Sequence, residues 1–349
     1  MSRKRNRLWH FISLLLILAV AGLLVICLGS MYVYPVRRWY LTVLGLGFLP
    51  LFAVNLILLI WTVACHHRSA IFPLLAFIPS CFFIGNYVQL GLFQPEGEPQ
   101  LKILTYNVGG FHYGDSLSAD ACMDSVFSFI ESVNPDIVCI QEYPEVTKRL
   151  PALQERFPDY DIQYYTHTSD SYSHGNVTMS RLVAVDKGKF DFDESSNLAL
   201  YCDYELRGVR FRVYNCHLES YSIPIVTLSD VNESAVHQTG RSLRKSLMKR
   251  PYQVDKIVSD RENAPSESFV VGDFNDTPMS YTYHQLREGR RDSFVEAGKG
   301  LGYSYSHFRP FLRIDHILHT PGFRGVRHEV LYDVRYSDHY PVTASFAVK

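Results

Sequence analysis

Six stretches of strand-forming residues end in groups that can hold a cation or move a proton. LTYN ends at Asn107, VCIQE at Glu142, and VYNCH at Asn215 and His217. VVGDFND brings Asp273 and Asn275, RIDH brings Asp315, and YSDH brings Asp338 and His339. Side chains alternate along a strand, so Asp273 and Asn275 are expected on one face, as are Asn215 and His217. Gathered on one edge of a sandwich, such strand ends would floor a cleft with carboxylates. Carboxylate, amide and water oxygens are the ligand set of a hard cation such as Mg2+, with Mn2+ also suited. The imidazoles add groups that exchange protons near neutral pH.

Each piece alone also has an ordinary reading. Asn107 before Val-Gly-Gly could start a turn, and Glu142 could be solvated. DFNDTP could be an Asx turn before proline. It is not an EF-hand loop, because the glycine position falls on Pro278 and the closing glutamate position on His284. Asp315 could pair with a neighbouring arginine, and Asp338-His339 could be a surface turn. Dismissing the site requires all of these readings to hold together.

In this order the set resembles the endonuclease/exonuclease/phosphatase superfamily, the DNase I-like fold. TYN (105–107), QE (141–142), NCHL (215–218), GDFN (272–275), IDHI (314–317) and SDHYPV (337–342) carry the match. GDFN and SDHYPV, in that order, are the most specific. The resemblance covers 101–349 and implies a four-layered α/β sandwich that hydrolyses phosphoesters with a metal. It also implies roles. Glu142 would bind Mg2+, with Asn107 and Asp338 nearby. Asp273 would orient or deprotonate the attacking water, and Asn275 would hold a phosphate oxygen. His339 would be the base or phosphate contact, its tautomer held by Asp315. His217 would donate to the phosphate as charge builds. A histidine at 217 is similar to DNase I, sphingomyelinases and deadenylases, and unlike the apurinic-site repair nucleases. Around SYSHGNVTMSRLV only Gly175 and Ser180 keep the family's look, and neither is assigned a role.

The elements that must position these groups are short. Strands are expected at LKILTYNV, DIVCIQEY, RLVAVD, VRFRVYNCHL, SFVVGDF, RIDHILH and PVTASFAV, with helices over 119–133 and 239–259. Strands alternating with helices, plus strand–strand neighbours, indicate a mixed α/β sandwich. One domain of about 250 residues suits that class. Residues 219–250 read as an insertion or loop. Arg241, Arg244, Lys245, Lys249 and Arg250 follow at helical spacing, as a solvated face or a contact to anionic lipid or substrate phosphate.

Before the catalytic domain stands a different kind of sequence. Residues 1–93 hold three apolar runs, Phe11–Leu28, Tyr40–Cys65 and Ile71–Leu92. The first two reach the roughly 20 residues that cross a bilayer, and the third is interrupted by prolines and Gly85-Asn86. QPEGEPQ, 94–100, is the expected linker. Arg3, Lys4, Arg5 and Arg7 favour a cytoplasmic N-terminus. Three spans would then place 101–349 across the membrane, on the periplasmic face of a bacterial inner membrane. Asn275-Asp276-Thr277 is a glycosylation acceptor whose glycan would block the site, which also favours a bacterial envelope protein. Residues 101–349 carry 27 Lys/Arg against 33 Asp/Glu, a net of −6, which argues against a non-specific grip on polynucleotides. No CxxC pair exists, so a zinc site is not expected.

The expected function is a membrane-anchored, Mg2+-dependent phosphoester hydrolase. Its substrate would be a nucleic acid, a phospholipid head group or a small phosphorylated molecule. The alternative is a tethered binding module of the same fold without catalysis, which a missing acid, base or ligand would reveal. None is missing. A channel or transporter has no support, since the apolar runs carry no charge.

Overall fold

The computed structural model of the chain describes residues 2–65, 68–92, 95–112, 118–144, 146–168, 173–221 and 233–349. In residues 101–349 the central strands are buried from both sides, which is why they read as near-continuous apolar runs. In chain order the N-terminal region is α1 (Ser2–Gly29), α2 (Pro35–Leu46), α3 (Phe48–Ala64), α4 (Ile71–Ile84) and the short β1 (Val88–Gln89). Then come β2 (Leu101–Asn107), α5 (Ala119–Val133), β3 (Ile137–Pro144), α6 (Val146–Arg156), β4 (Asp161–Thr168) and β5 (Ser173–Ser180). The second half is β6 (Asp186–Asp191), β7 (Leu198–Leu206), β8 (Val209–His217), α7 (Glu233–Ser259), β9 (Glu267–Asp273) and α8 (Tyr281–Arg287). It closes with β10 (Arg291–Asp292), α9 (Ser293–Ala297), β11 (Gly300–Leu301), β12 (Asp315–His319), β13 (Phe323–Val330) and β14 (Val342–Val348).

One sheet has the order β13-β14-β2-β3-β5-β4 and the other β10-β12-β9-β8-β7-β6. They bury one core between them, where Ile103, Ile137 and Phe346 of the first meet Phe211, Phe269 and Ile317 of the second. Helix α5 covers the outer face of the first sheet through Val126, Phe127 and Ile130. Helices α7 and α8 cover the second through Val254, Ile257, Tyr283 and Leu286. This is the four-layered α/β sandwich expected from the sequence. Cys139 and Cys216 are fully buried core residues, and every cysteine is free.

RLVAVD is not a strand. Val183 and Val185 face solvent, 77% and 59% exposed, while Leu182 and Ala184 pack against the core between the sheets, and the strand is β5 just before it. Of the stretch 219–250, residues 222–232 lie outside the described residues, and α7 starts at Glu233, ahead of the expected position.

The N-terminal region departs from three spans. Leu8–Tyr32, α1 with the 3-10 turn that follows it, is a helical stretch of 25 residues, long and apolar enough to cross a membrane. The second run is divided between α2 and α3, which meet at a 54° bend at Gly47. Arg37 and Arg38 are exposed on α2, and Tyr34 just before it stacks edge-on against Tyr252 and Tyr281 of the catalytic part. Helix α2 packs on α7, and the bent pair of α2 and α3 together is long and apolar enough to count as one further span. Helix α4 has 14 residues, about 21 Å, against a hydrocarbon core of about 30 Å. The chain leaves α4 at Gly85, and β1 then pairs with β11 of the catalytic part, Val88 opposite Leu301.

The two parts share a core. Leu24, Cys27, Met31, Phe48, Ala76 and Tyr87 pack on Met279, which the catalytic part inserts among them. Met279 is fully buried, and its N–H and carbonyl are paired with Tyr87 and Ser30. Unpaired, each would cost about 1–3 kcal/mol. Arg313 and Arg287 add bonds to the Asn86 carbonyl and side chain, each at 3.0 Å.

Candidate active site

Two parallel strand pairs, one in each sheet, deliver the site. β2 and β3 run parallel with Asn107 opposite Gln141, and β8 and β9 run parallel with His217 opposite Asp273. β12 enters antiparallel to β9, so its first residue, Asp315, stands opposite Asp273. His339 comes just ahead of β14, whose Val342 pairs with Thr105 of β2.

Local backbone geometry then aims each group. Strand alternation alone would send Gln141 and Glu142 to opposite faces. Gln141 does point inward, donating to Asn215 Oδ1 at 2.7 Å and Thr105 Oγ1 at 3.1 Å. Glu142 sits in a bulge between Ile140 and Tyr143 with φ 54°, and its side chain emerges 36% exposed. Asn275 is also left-handed, φ 51°. Because β9 ends at Asp273, alternation does not reach Asn275. A turn places it instead, with its N–H donating to Asp273 Oδ1 at 2.7 Å. Left-handed non-glycine residues cost of order 1–3 kcal/mol and cluster at functional sites. Gly272 is required where β9 passes β8: φ is 126°, and a Cβ would stand 2.1 Å from the Cys216 carbonyl oxygen.

The resulting cluster is tight. The Asn107 Nδ2 group donates to Glu142 Oε1 and to Asp273 Oδ2, each at 3.0 Å. His217 Nε2 lies 3.4 Å from Glu142 Oε1 and 4.0 Å from Asp273 Oδ2. His339 Nδ1 is 2.9 Å from Asp315 Oδ2, and its Nε2 is 3.7 Å from Asp273 Oδ2. Asp338 enters from the loop before β14. Its Oδ1 accepts from Ser337 at 3.2 Å and faces Gly109, whose N–H is bound to Asn107 Oδ1 at 3.0 Å.

Charge is arranged to match. Burial alone would suppress a proton on His339, but Asp315 and Asp273 beside it hold its pKa well above the usual histidine value. Burial, with Asp315 adding to it, pushes Asp273 up to about 6 against the pull of His339, His217 and Asn107. Burial also acts to raise Glu142, yet His217, Asn107, His339 and His174 outweigh it and hold Glu142 below its ordinary value.

All eight expected site residues thus come to one edge of the sandwich, though not all are aimed as expected. The Asn275 amide is committed to the Leu218 carbonyl at 2.9 Å and to Asp273 Oδ2 at 3.2 Å. Asn215 shares the face of His217 but lies deeper, bonded to the Ile140 and Val177 carbonyls, so it ties the sheets together under the site. Asp276 pairs with the buried Arg250 at 2.9 Å and accepts from Tyr221 at 2.7 Å. That removes Arg250 from the basic face proposed for α7. Lys249 also turns inward, to Glu219 at 3.5 Å, whereas Arg241, Arg244 and Lys245 are exposed. Losing a buried pair's partner costs about 3–5 kcal/mol.

Other residues at the site were missed in the sequence. His174 and Asn176 of β5, with Asn197 and Ser220, line the cleft beside Glu142 and His217. His174 lies opposite Pro144, at the end of β3. The displaced strand assignment hid it, and the glycine at 175 was the available signal. The Tyr305 ring lies 5.0 Å from that of His339, and no sequence pattern announces it.

The set of groups fits a hard divalent cation. The donors are carboxylate and amide oxygens, and Glu142 is open to solvent. Asp315 Oδ1 and His217 Nε2 are buried with no hydrogen-bond partner among the described residues. The tightest carboxylate–imidazole group, Asp273, Asp315 and His339, has its ligand atoms within 4.8 Å of one another.

Comparison with known proteins agrees with this geometry. Residues 104–339 match the Endonuclease/Exonuclease/phosphatase family, and the chain belongs to that family. It is therefore an enzyme of the phosphoester-hydrolase class. Residues 7–87 match a second family, a domain of unknown function (DUF8431). No curated protein matches the chain. Among solved structures, an endonuclease/exonuclease/phosphatase family protein from Leptotrichia buccalis is 15% identical with a TM-score of 0.53, covering 71% of this chain and 100% of that one. The human Nocturnin catalytic domain with bound sulfate is 15% identical, TM-score 0.54, with coverages of 72% and 94%. A mannosyl-6-phosphatase from Bacteroides thetaiotaomicron is 20% identical, TM-score 0.50, with coverages of 71% and 100%. At these identities the likeness is one of fold.

Proposed function

We propose that this protein is a membrane-anchored phosphoester hydrolase that uses Mg2+ or Mn2+, with its spanning helix holding the catalytic sandwich at a bilayer. The observation that carries the reading is the link Glu142–Asn107–Asp273, two bonds of 3.0 Å, beside the His339–Asp315 pair at 2.9 Å. Four separate strands and the segment before a fifth converge to build it. Glu142 would hold the cation, with Asn107 and Asp338 nearby, and the bound ion would polarise the phosphoryl group and stabilise the leaving oxygen.

The chain's own groups do the rest. Asp273, buried and raised, accepts the proton of the attacking water. Asn275 and Asn107 fix its carboxylate by donating to Oδ2. Asp315 accepts the Nδ1 proton of His339 and fixes the ring, with Nε2 directed at the Asp273 side of the cleft, where it donates to the phosphate. His217 presents Nε2 at the cleft wall and donates to an equatorial phosphate oxygen as negative charge develops. A bound sulfate in the Nocturnin domain and the phosphorylated-sugar substrate in the name of the Bacteroides enzyme support phosphoester chemistry on this fold.

The test is hydrolysis of bis(p-nitrophenyl) phosphate by the full-length protein in detergent, with and without Mg2+ or Mn2+. Metal-dependent turnover that disappears in Asp273→Asn and His339→Ala is expected. Turnover that survives either substitution would sink the assignment.

A further inference from the structure

The loop that carries Asp273 does not end in the catalytic sandwich. From Asp273 to Ser280 every residue is buried, and the loop runs into the N-terminal helices. At Met279 both backbone groups are satisfied from that region. Tyr87 Oη accepts the Met279 N–H at 3.1 Å, and the Ser30 hydroxyl, shared with the Cys27 carbonyl at 2.7 Å, reaches the Met279 carbonyl at 3.0 Å. Gly45 closes the third side, where a Cβ would stand 2.4 Å from the Met279 carbonyl oxygen and 2.8 Å from Ser30 Oγ. Between Met279 and the site the loop is pinned again. Arg250 and Tyr221 hold the Asp276 carboxylate, and His316 Nε2 lies 3.0 Å from its carbonyl. Five residues lie between Asp273 and Met279, so the two are at most about 20 Å apart.

The N-terminal region thus touches the one loop whose displacement would move both the buried carboxylate and Asn275. The Leptotrichia and Bacteroides structures are covered in full by part of this chain, which leaves this chain with a segment that they lack.

We propose that the N-terminal helical region is a positioning element for the catalytic loop, with Ser30, Gly45 and Tyr87 as positioning residues that set turnover through Met279. The kinetic half of the test rests on the phosphoester-hydrolase reading; the structural half does not.

The experiment uses the full chain in lipid nanodiscs, as Ser30→Ala, Tyr87→Phe and the double variant. Tyr34→Phe serves as control, because Tyr34 also joins the two parts, donating to Asp255 at 2.9 Å, but away from the loop. The double variant is expected to lose about tenfold in kcat with KM within about twofold, since small misplacement of a reacting group costs rate rather than binding. Amides 274–277, 279 and 280 should exchange faster with deuterium in the double variant and not in Tyr34→Phe. Wild-type kcat and wild-type exchange in the double variant would overturn the proposal, as would an equal kcat loss in Tyr34→Phe. If the double variant unfolds, Ser30→Ala alone decides, with about threefold expected. If the wild type hydrolyses nothing, the functional reading falls, and the exchange measurement still decides whether the helices hold the loop.

Discussion

The two parallel strand pairs are built alike and finished differently. β2–β3 ends in Asn107 and a bulged Glu142 whose side chain is 36% exposed, whereas β8–β9 ends in His217 and an Asp273 that is 1% exposed. Burial raises the Asp273 pKa, while neighbouring imidazoles hold Glu142 down. One half therefore keeps an ionised carboxylate where a hydrated cation can reach it. The other keeps a more basic carboxylate where water is scarce. In the proposed mechanism the two carboxylates take separate tasks because their surroundings push their proton affinities apart.

The sharpest way to break that contrast is Asp273→Asn. Removing the proton acceptor should lower kcat by about 10³-fold with metal affinity nearly kept; kcat within tenfold of wild type would show that Asp273 is not the acceptor. Asp315→Asn acts one step removed, by freeing the His339 ring, and about 10²-fold in kcat is expected. An unchanged rate would show that the 2.9 Å pair only stabilises the fold. Glu142→Gln should instead weaken the apparent Mg2+ affinity by about 10–100-fold and be restored by added Mg2+. Failure of excess metal to restore turnover would move Glu142 out of the cation-holding half. The smallest effect is the pH profile. Asp273 works ionised and its pKa is raised to about 6, so kcat/KM should fall as pH drops through 6 and level off above it. In the metal-loaded enzyme that limb should shift to lower pH, because a nearby cation favours the carboxylate. A flat profile from pH 5 to 8 would contradict the acceptor role.

Most of this contrast was written in the sequence, for a physical reason. GDFN and SDHYPV lie where strands stop and polar groups must be exposed, so their residue types stand out against apolar runs. What lay beyond reading was geometry set by other parts of the chain. The left-handed turn at Glu142 goes with β3 pairing unevenly with β5, and β5 itself was misplaced because RLVAVD is an apolar run of which only Leu182 and Ala184 pack inward. Arg250 reads as one of five basic residues on a helix face, and only its burial against Asp276 shows that it faces inward. The apolar runs of the N-terminal region were visible, yet their count misled. Hydropathy does not reveal that α2 lies on α7 or that α4 stops short of spanning length.

Met279, enclosed by Ser30, Gly45 and Tyr87, also bears on how the enzyme comes into being. A chain is made from its N-terminus, so α1 to α4 have left the ribosome before residue 279 is added. On the proposal that these helices position the catalytic loop, newly made protein would stay inert until they have packed around Met279.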